Sequence, residues 1–139
     1  MEYVFDNTNK IIKIFLNLMN KGNQLREFIK SCKDINYKDE LGRTMLHYAV
    51  LNENLDAVKV LLELDANVNE VDNDLRTPMH YLAVVGNEKI AEYIVKNRDI
   101  SCEKDLYGQT PMCLAKWRGN TKVANVLKGN KKYKNIKAS

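Results

Sequence analysis

The side chains best suited to acid–base, nucleophilic or metal chemistry in this 139-residue sequence are two histidines, His47 and His80, and three cysteines, Cys32, Cys102 and Cys113. A shared zinc needs its ligands within ~2.0–2.3 Å of one ion, and a general base must lie within ~3 Å of the proton it takes. The histidines are 33 residues apart and Cys113 follows His80 by another 33. If that interval is one step of a stack of helices, neighbouring members lie ~10 Å apart and cannot hold one ion. The cysteines are odd in number and contain no CxxC pair, a usage that fits free, small, apolar thiols in a reducing compartment rather than a disulfide framework. The sequence has no nucleophile elbow, phosphate-binding glycine loop, zincin motif or calcium loop. No catalytic residue, metal, cofactor or small-molecule substrate is therefore expected.

The 33-residue interval is a property of the whole chain. Segments beginning at Asp39, Asp72 and Asp105 align without gaps, with Thr44, Thr77 and Thr110 in register, then Ala57, Ile90 and Val123, then the pairs Leu61-Leu62, Ile94-Val95 and Leu127-Lys128. Three coincident registers identify a repeat architecture. Within each unit a threonine precedes the start of a first helix, and at Thr77-Pro78 and Thr110-Pro111 the proline lacks only an N–H that the first turn does not use. Gly86 and Gly119 then let the chain reverse. A second helix follows in which Ile90, Ala91, Ile94 and Val95 share one face. Helices of about eight residues are not stable alone, so like units must stack to bury these faces.

These residues resemble ankyrin repeats. The Thr-Pro-Met-His of residues 77–80, the Gly-Arg-Thr of 42–44, the Gly-Asn of 86–87 and the Ala-Asn-Val-Asn of 66–69 stand where that family's motif has such residues. The resemblance implies an all-α solenoid of helix-turn-helix units with short β-hairpin fingers. It divides residues 1–129 into an N-terminal capping repeat at 7–38, full repeats at 39–71 and 72–104, and a C-terminal capping repeat at 105–129, with a basic tail at 130–139. In the capping repeat Ile11, Ile14, Phe15 and Leu18 form one helical stripe and Leu25, Phe28 and Ile29 a second. The histidine of such a repeat bonds to neighbouring backbone and to the threonine hydroxyl. Leu75 stands at the finger position of Gly42 and Gly108, so that turn either changes type or holds a bulky residue at positive φ. Met45 replaces the helix-start proline, Glu53 the inter-helix glycine and Cys113 the histidine.

The resemblance also implies where a partner binds: the finger tips and the outer side of each first helix. Carried over by position, the finger sites include Leu41 and Arg43, Asp74 and Arg76, and Tyr107, while the helix sites are Leu51 and Asn52, Val84 and Val85, and Trp117 and Arg118. Stacking lines up Leu51, Val84 and Trp117 as an apolar column on a concave face, edged by arginines and Tyr107, a composition enriched in binding hot spots. The helix predicted over 79–85 is apolar on nearly every side, so it is either wholly buried or presents a face to a partner.

Net charge is +4, but residues 128–139 hold five lysines and no acid, which leaves 17 basic against 18 acidic residues in 1–127. The basicity belongs to the tail, and no nucleic-acid partner is expected of the body. The apolar stretch 11–19 is interrupted by Lys13 and Asn17 and precedes no small-residue cleavage site, and no run of 18 apolar residues occurs. Neither a secretory signal nor a membrane span is expected. The expectation is a monomeric, non-catalytic protein-binding module of the cytoplasm, acting as adaptor, competitive inhibitor or assembly subunit. Its abundant Asn, Lys and Ile and its resemblance to small ankyrin proteins of viruses and intracellular bacteria suggest a modulator of host signalling in a host-cell cytosol. The alternative from a different class is a nuclear or nucleic-acid-associated factor that uses the lysine tail, whose binding falls steeply with salt.

Overall fold

The computed structural model describes residues 7–130, with side chains from residue 10 onward. They form eight helices in four pairs: α1 (Asn7–Leu18) and α2 (Gly22–Ser31), α3 (Met45–Leu51) and α4 (Leu55–Glu63), α5 (Pro78–Val85) and α6 (Glu88–Asn97), α7 (Pro111–Trp117) and α8 (Thr121–Lys128). The first helices pack side by side in the order α1, α3, α5, α7, and the second helices in the order α2, α4, α6, α8, giving two layers with the core between them. The lysine tail beyond Asn130 lies outside the described residues.

Local sequence explains where the helices of the middle units and α7 begin. Thr44, Thr77 and Thr110 cap α3, α5 and α7 with extended backbone, each hydroxyl accepting from the N–H three residues on. Asn54 and Asn87 do the same for α4 and α6. Such caps contribute about 1 kcal/mol apiece. Gly86 ends α5 at φ 76, and the equivalent reversals after α3 and α7 use Glu53 at φ 53 and Gly119 at φ 74. Glu53 thus takes the left-handed backbone that its replacement of glycine demanded.

The core follows the predicted faces with one correction. Ala57, Val58, Leu61 and Leu62 of α4, Ile90, Ala91 and Ile94 of α6, and Val123, Ala124 and Leu127 of α8 are buried, as are Leu25 and Ile29 of α2. In α1 the buried residues are Ile12 and Phe15, joined by Met19 just past its end, while Ile11 and Leu18 pack at the margin and Ile14 is only half-buried. The stripe is turned by one residue from the one expected, because the isoleucine-rich run offers two overlapping apolar faces and packing selects one.

The fingers are tight turns, with no strand assigned among the described residues. In each, the aspartate N–H donates to the carbonyl four residues on, and the residue three on donates back to the aspartate carbonyl, as Asp39 does with Arg43 (3.0 Å) and Gly42 (2.9 Å). One backbone bond links each finger to the next: Asn73 N–H to Leu41 O (3.0 Å) and Leu106 N–H to Asp74 O (2.8 Å). Gly42 is at φ 78, and a Cβ there would lie 2.6 Å from Asn73 Oδ1 and 2.7 Å from the Asn73 backbone nitrogen, whereas a Cβ on Gly108, at φ 81, meets nothing within 4 Å. Leu75, the equivalent in the middle finger, keeps the same turn at φ 60, so the turn type is retained and the strain is accepted.

The last pair changes character on the side where a further unit would stack. Cys113 is exposed where His47 and His80 are buried, Lys116 is exposed where Val50 and Ala83 are buried, and Lys128 is exposed where Leu62 is buried. A polar outer face of this kind keeps the end of a stack soluble.

Candidate functional site

The histidines are the first candidates to be settled by geometry. His47 Nδ1 accepts from the Thr44 N–H (3.0 Å), and its Nε2 lies 2.9 Å from the carbonyl of Arg76 in the next finger. His80 repeats this with Thr77 (3.0 Å) and the carbonyl of Gln109 (2.8 Å). A carbonyl can only accept, so each ring is the neutral tautomer with its proton on Nε2. Burial drives both pKa values below the ordinary imidazole value, against the opposing pull of those carbonyls. Each ring therefore clamps one unit to the next with both nitrogens committed. Among the described residues no group of His, Cys, Asp or Glu is placed to hold a metal.

The arginines expected on the binding surface serve the same inter-unit purpose. Arg43 Nε donates to the Tyr81 hydroxyl (2.7 Å), and its guanidinium lies over the rings of Tyr48 (5.6 Å) and Tyr81 (5.3 Å). Arg76 donates to Asp105 Oδ2 (3.0 Å) and lies over Tyr107 (5.5 Å). Both are half-buried. Arg76 thus bonds an aspartate directly, and Arg43 reaches one through the Tyr81 hydroxyl, a role the sequence does not reveal for these aspartates. One oxygen of Asp39, Asp72 and Asp105 accepts two finger N–H groups, at 2.8–3.0 Å. The other takes the Tyr48 hydroxyl, the Tyr81 hydroxyl or the Arg76 guanidinium respectively. Burial alone raises the Asp105 carboxyl, but the Gln109 N–H and the Arg76 guanidinium outweigh it and hold the group below its usual value. Burial and the bonded Asp72 push the Tyr81 phenol upward. The 33-residue recurrence of these aspartates was the available signal; a turn aspartate reads first as a solvated one.

What remains for a partner is largely apolar and lies on one side. The large hydrophobic residues exposed among the described ones are Leu16, Leu41, Leu51, Leu75, Leu106, Tyr107 and Trp117. All sit on fingers or on the first-helix layer, and none on α2, α4, α6 or α8. The expected column is uneven: Leu51 is 41% and Trp117 77% exposed, while Val84 and Val85 are half-buried and rest against the core. Helix α5 is buried from Pro78 to Ala83 because it is flanked by α3 and α7, which settles most of its apolar surface as packing. Leu41 and Tyr107 are exposed at equivalent finger tips, with the half-buried Asp74 between them in the series. Asn52 and Arg118 are exposed at the ends of α3 and α7.

Four asparagines also tie the stack together. Asn54 and Asn87 reach back to Asn20 and Glu53 of the preceding pair (2.8 and 3.3 Å), and Asn120 donates to the Ala83 and Val84 carbonyls at the end of α5. Asn69 accepts from the Ser101 N–H (2.8 Å) and donates to Asp99 O (3.2 Å), which joins the loops of successive units.

Comparison with known proteins matches residues 3–104 to a family model of ankyrin repeats in three copies. The fourth pair, α7 and α8, lies beyond that match yet continues the same stack. Among curated proteins the chain is similar to inversin of Gallus gallus, 38% identical over 55% of this chain and 7% of that protein. It is also similar to neurogenic locus notch homolog protein 1 of Xenopus laevis, 33% identical over 67% of this chain and 4% of that protein. Diacylglycerol kinase zeta of Rattus norvegicus is 29% identical over 81% of this chain and 12% of that protein. The chain thus spans a small fraction of the length of the curated relatives it matches.

Proposed function

Because the chain belongs to the ankyrin-repeat family, whose repeats are protein–protein interaction modules, we propose that it is a non-catalytic binder of a protein partner that engages the fingers and first-helix ends. The observation that carries this reading is the one-sidedness of the exposed large hydrophobics, which crowd the finger and first-helix side and are absent from the second-helix layer. Scattered exposed apolar residues need no explanation, but their confinement to one side of a stack marks a contact surface. The inter-unit clamps of His47, His80, Arg43 and Arg76 hold that surface rigid, which reduces the ordering cost of association. Within this reading Leu41, Leu51, Tyr107 and Trp117 supply contact area, Asn52, Asp74 and Arg118 its polar edge, and Val84 and Val85 its floor.

No helix among the described residues is long and apolar enough to cross a membrane. A role in the cytosol or nucleus rests on the three free thiols. A role as modulator of host signalling rests on the Asn-, Lys- and Ile-rich composition and on the resemblance to small ankyrin proteins of viruses and intracellular bacteria. The test is quantitative affinity capture with the wild type and a Leu51→Glu/Trp117→Ala variant whose helicity matches by circular dichroism. A partner retained by the first and lost by the second supports the surface, and undiminished capture by the variant refutes it.

A further inference from the structure

Charge is distributed very unevenly between the units that build the binding surface. Residues 39–71 carry seven acids and two bases, and residues 72–104 are close to balanced with six and five. Residues 105–130 carry Lys116, Arg118, Lys122 and Lys128 against a single acid, Asp105. That acid is buried, and its carboxylate is filled by two backbone N–H groups and Arg76. The four cations are all exposed. Among the described residues the same unit holds the two most exposed aromatic side chains, Tyr107 at 67% and Trp117 at 77%. At the positions of Trp117 and Tyr107 the preceding units have Leu51 or Val84 and Leu41 or Asp74, so the repeat does not require aromatics there.

We infer that the fourth unit receives an acidic segment of the protein partner, a stretch of Asp and Glu beside an apolar anchor residue, with Trp117 and Tyr107 taking the anchor and Lys116 and Arg118 the carboxylates. The inference rests on the protein-binding reading above and narrows it to a partner chemistry. Charge complementarity favours an acidic segment, since a basic one would meet four exposed cations without a free carboxylate. The Cys113 thiol is held below its ordinary value chiefly by the Thr110 hydroxyl, with smaller contributions from the nearby Lys116 and Lys104 charges. Aromatic and cationic side chains together also suit a single-stranded nucleic acid. The rest of the surface argues against that occupant, because a polyanion running along the stack would next meet Asp74 and then Glu40 and Glu53, the last two exposed. A protein segment can change its charge along its length and a phosphate backbone cannot.

The test uses the full chain and a displayed library of random 16-residue peptides, followed by fluorescence polarisation with the most enriched peptide after synthesis and labelling. The expected result is enrichment of peptides with clustered Asp and Glu next to Leu, Ile or Phe. Trp117→Ala and Lys116→Glu/Arg118→Glu should each weaken the chosen peptide about tenfold or more, as truncation of a binding hot spot does. Binding should also weaken as salt rises from 50 to 300 mM. A Lys131→Gln/Lys132→Gln/Lys134→Gln/Lys137→Gln variant should bind nearly as the wild type does, and loss in that variant instead would overturn the assignment in favour of the tail. Neutral or basic peptides that depend on Leu51 but not on Trp117 would overturn the acidic-segment inference while leaving the protein-binding surface standing. Enriched peptides insensitive to Leu51, Trp117 and Arg118 alike would overturn both. Trp117-dependent binding of an oligo-uridine probe in place of any acidic peptide would assign the unit to nucleic acid.

Discussion

Gly42 and Gly108 occupy equivalent finger positions with nearly the same left-handed backbone, φ 78 and 81, yet only Gly42 has a neighbouring finger on its Cα side. Replacing each by alanine separates conformational strain from inter-unit contact. An alanine in the left-handed region costs about 1–2 kcal/mol, offset by about 0.4–1 kcal/mol from the stiffer unfolded chain. Gly108→Ala is therefore expected to lose about 1 kcal/mol. In Gly42→Ala the new methyl would sit 2.7 Å from the Asn73 backbone nitrogen, a contact that rotation of the Asn73 side chain cannot relieve. The fingers must part, which sacrifices the bonds from Asn73 N–H to Leu41 O and from Asn73 Nδ2 to Glu40 O. At about 0.5–1.5 kcal/mol each, their loss adds about 2 kcal/mol. Urea unfolding followed by far-ultraviolet circular dichroism should show the Gly42 variant unfolding about 1 M below the Gly108 variant, for a slope of about 1–3 kcal/mol/M. Equal midpoints for the two variants would refute the claim that fingers are held in register by close backbone approach.

Glu53 at φ 53 is exposed, so Glu53→Gly should gain about 0.5–1 kcal/mol in the same urea assay by relieving a left-handed backbone; a loss would mean that its 3.3 Å contact with Asn87 outweighs the strain. Trp117→Ala should leave stability within about 0.5 kcal/mol of wild type, and a loss above about 2 kcal/mol would show that the indole belongs to the core. Burial lowers the pKa of His47 and His80 in the folded state, so the unfolded chain binds their protons first as pH falls. The stability they contribute is complete above about pH 6.5 and is lost below it, by up to about 1.4 kcal/mol per histidine per pH unit. Thermal melts at pH 7.5, 6 and 5 should decline more steeply for the wild type than for a His47→Gln/His80→Gln variant, and parallel declines would contradict the buried, neutral assignment.

The features legible in the sequence are those whose cause lies within a few residues. A threonine before a proline caps a helix whatever surrounds it, a histidine three residues after that threonine closes the same turn, and a glycine at a reversal takes positive φ. Each recurs every 33 residues and each is found in place. The roles of Arg43 and Arg76 were not legible, because the groups that capture them lie 29 to 38 residues away on the next unit. A long cationic side chain at a finger reads as solvent-facing until the ring it covers is known. The turn of the α1 stripe from Ile14 to Ile12 has a similar origin: an apolar run wide enough for two faces is resolved only by its neighbour.

A stack of equivalent units also supplies its own reference for reading the surface. The backbone at positions 51, 84 and 117 is held in equivalent places by a threonine cap and the row of first helices, although Cys113 gives the last unit no histidine clamp, and the fold accepts leucine, valine and tryptophan there alike. Packing demands nothing that valine does not meet at position 84. The additional area of the indole at 117 faces outward, whereas Lys116 lies on the outer face of the last described unit, which no neighbour covers as neighbours cover Val50 and Ala83. Residues that break the repeat while leaving its backbone unchanged are therefore the ones to assign to contacts outside the chain. Leu75 belongs to the opposite class, since there the backbone is kept at a cost within the finger itself. Under the proposed acidic-segment reading, the fourth unit, where aromatic and cationic departures coincide, is the part of the surface on which partner choice depends most.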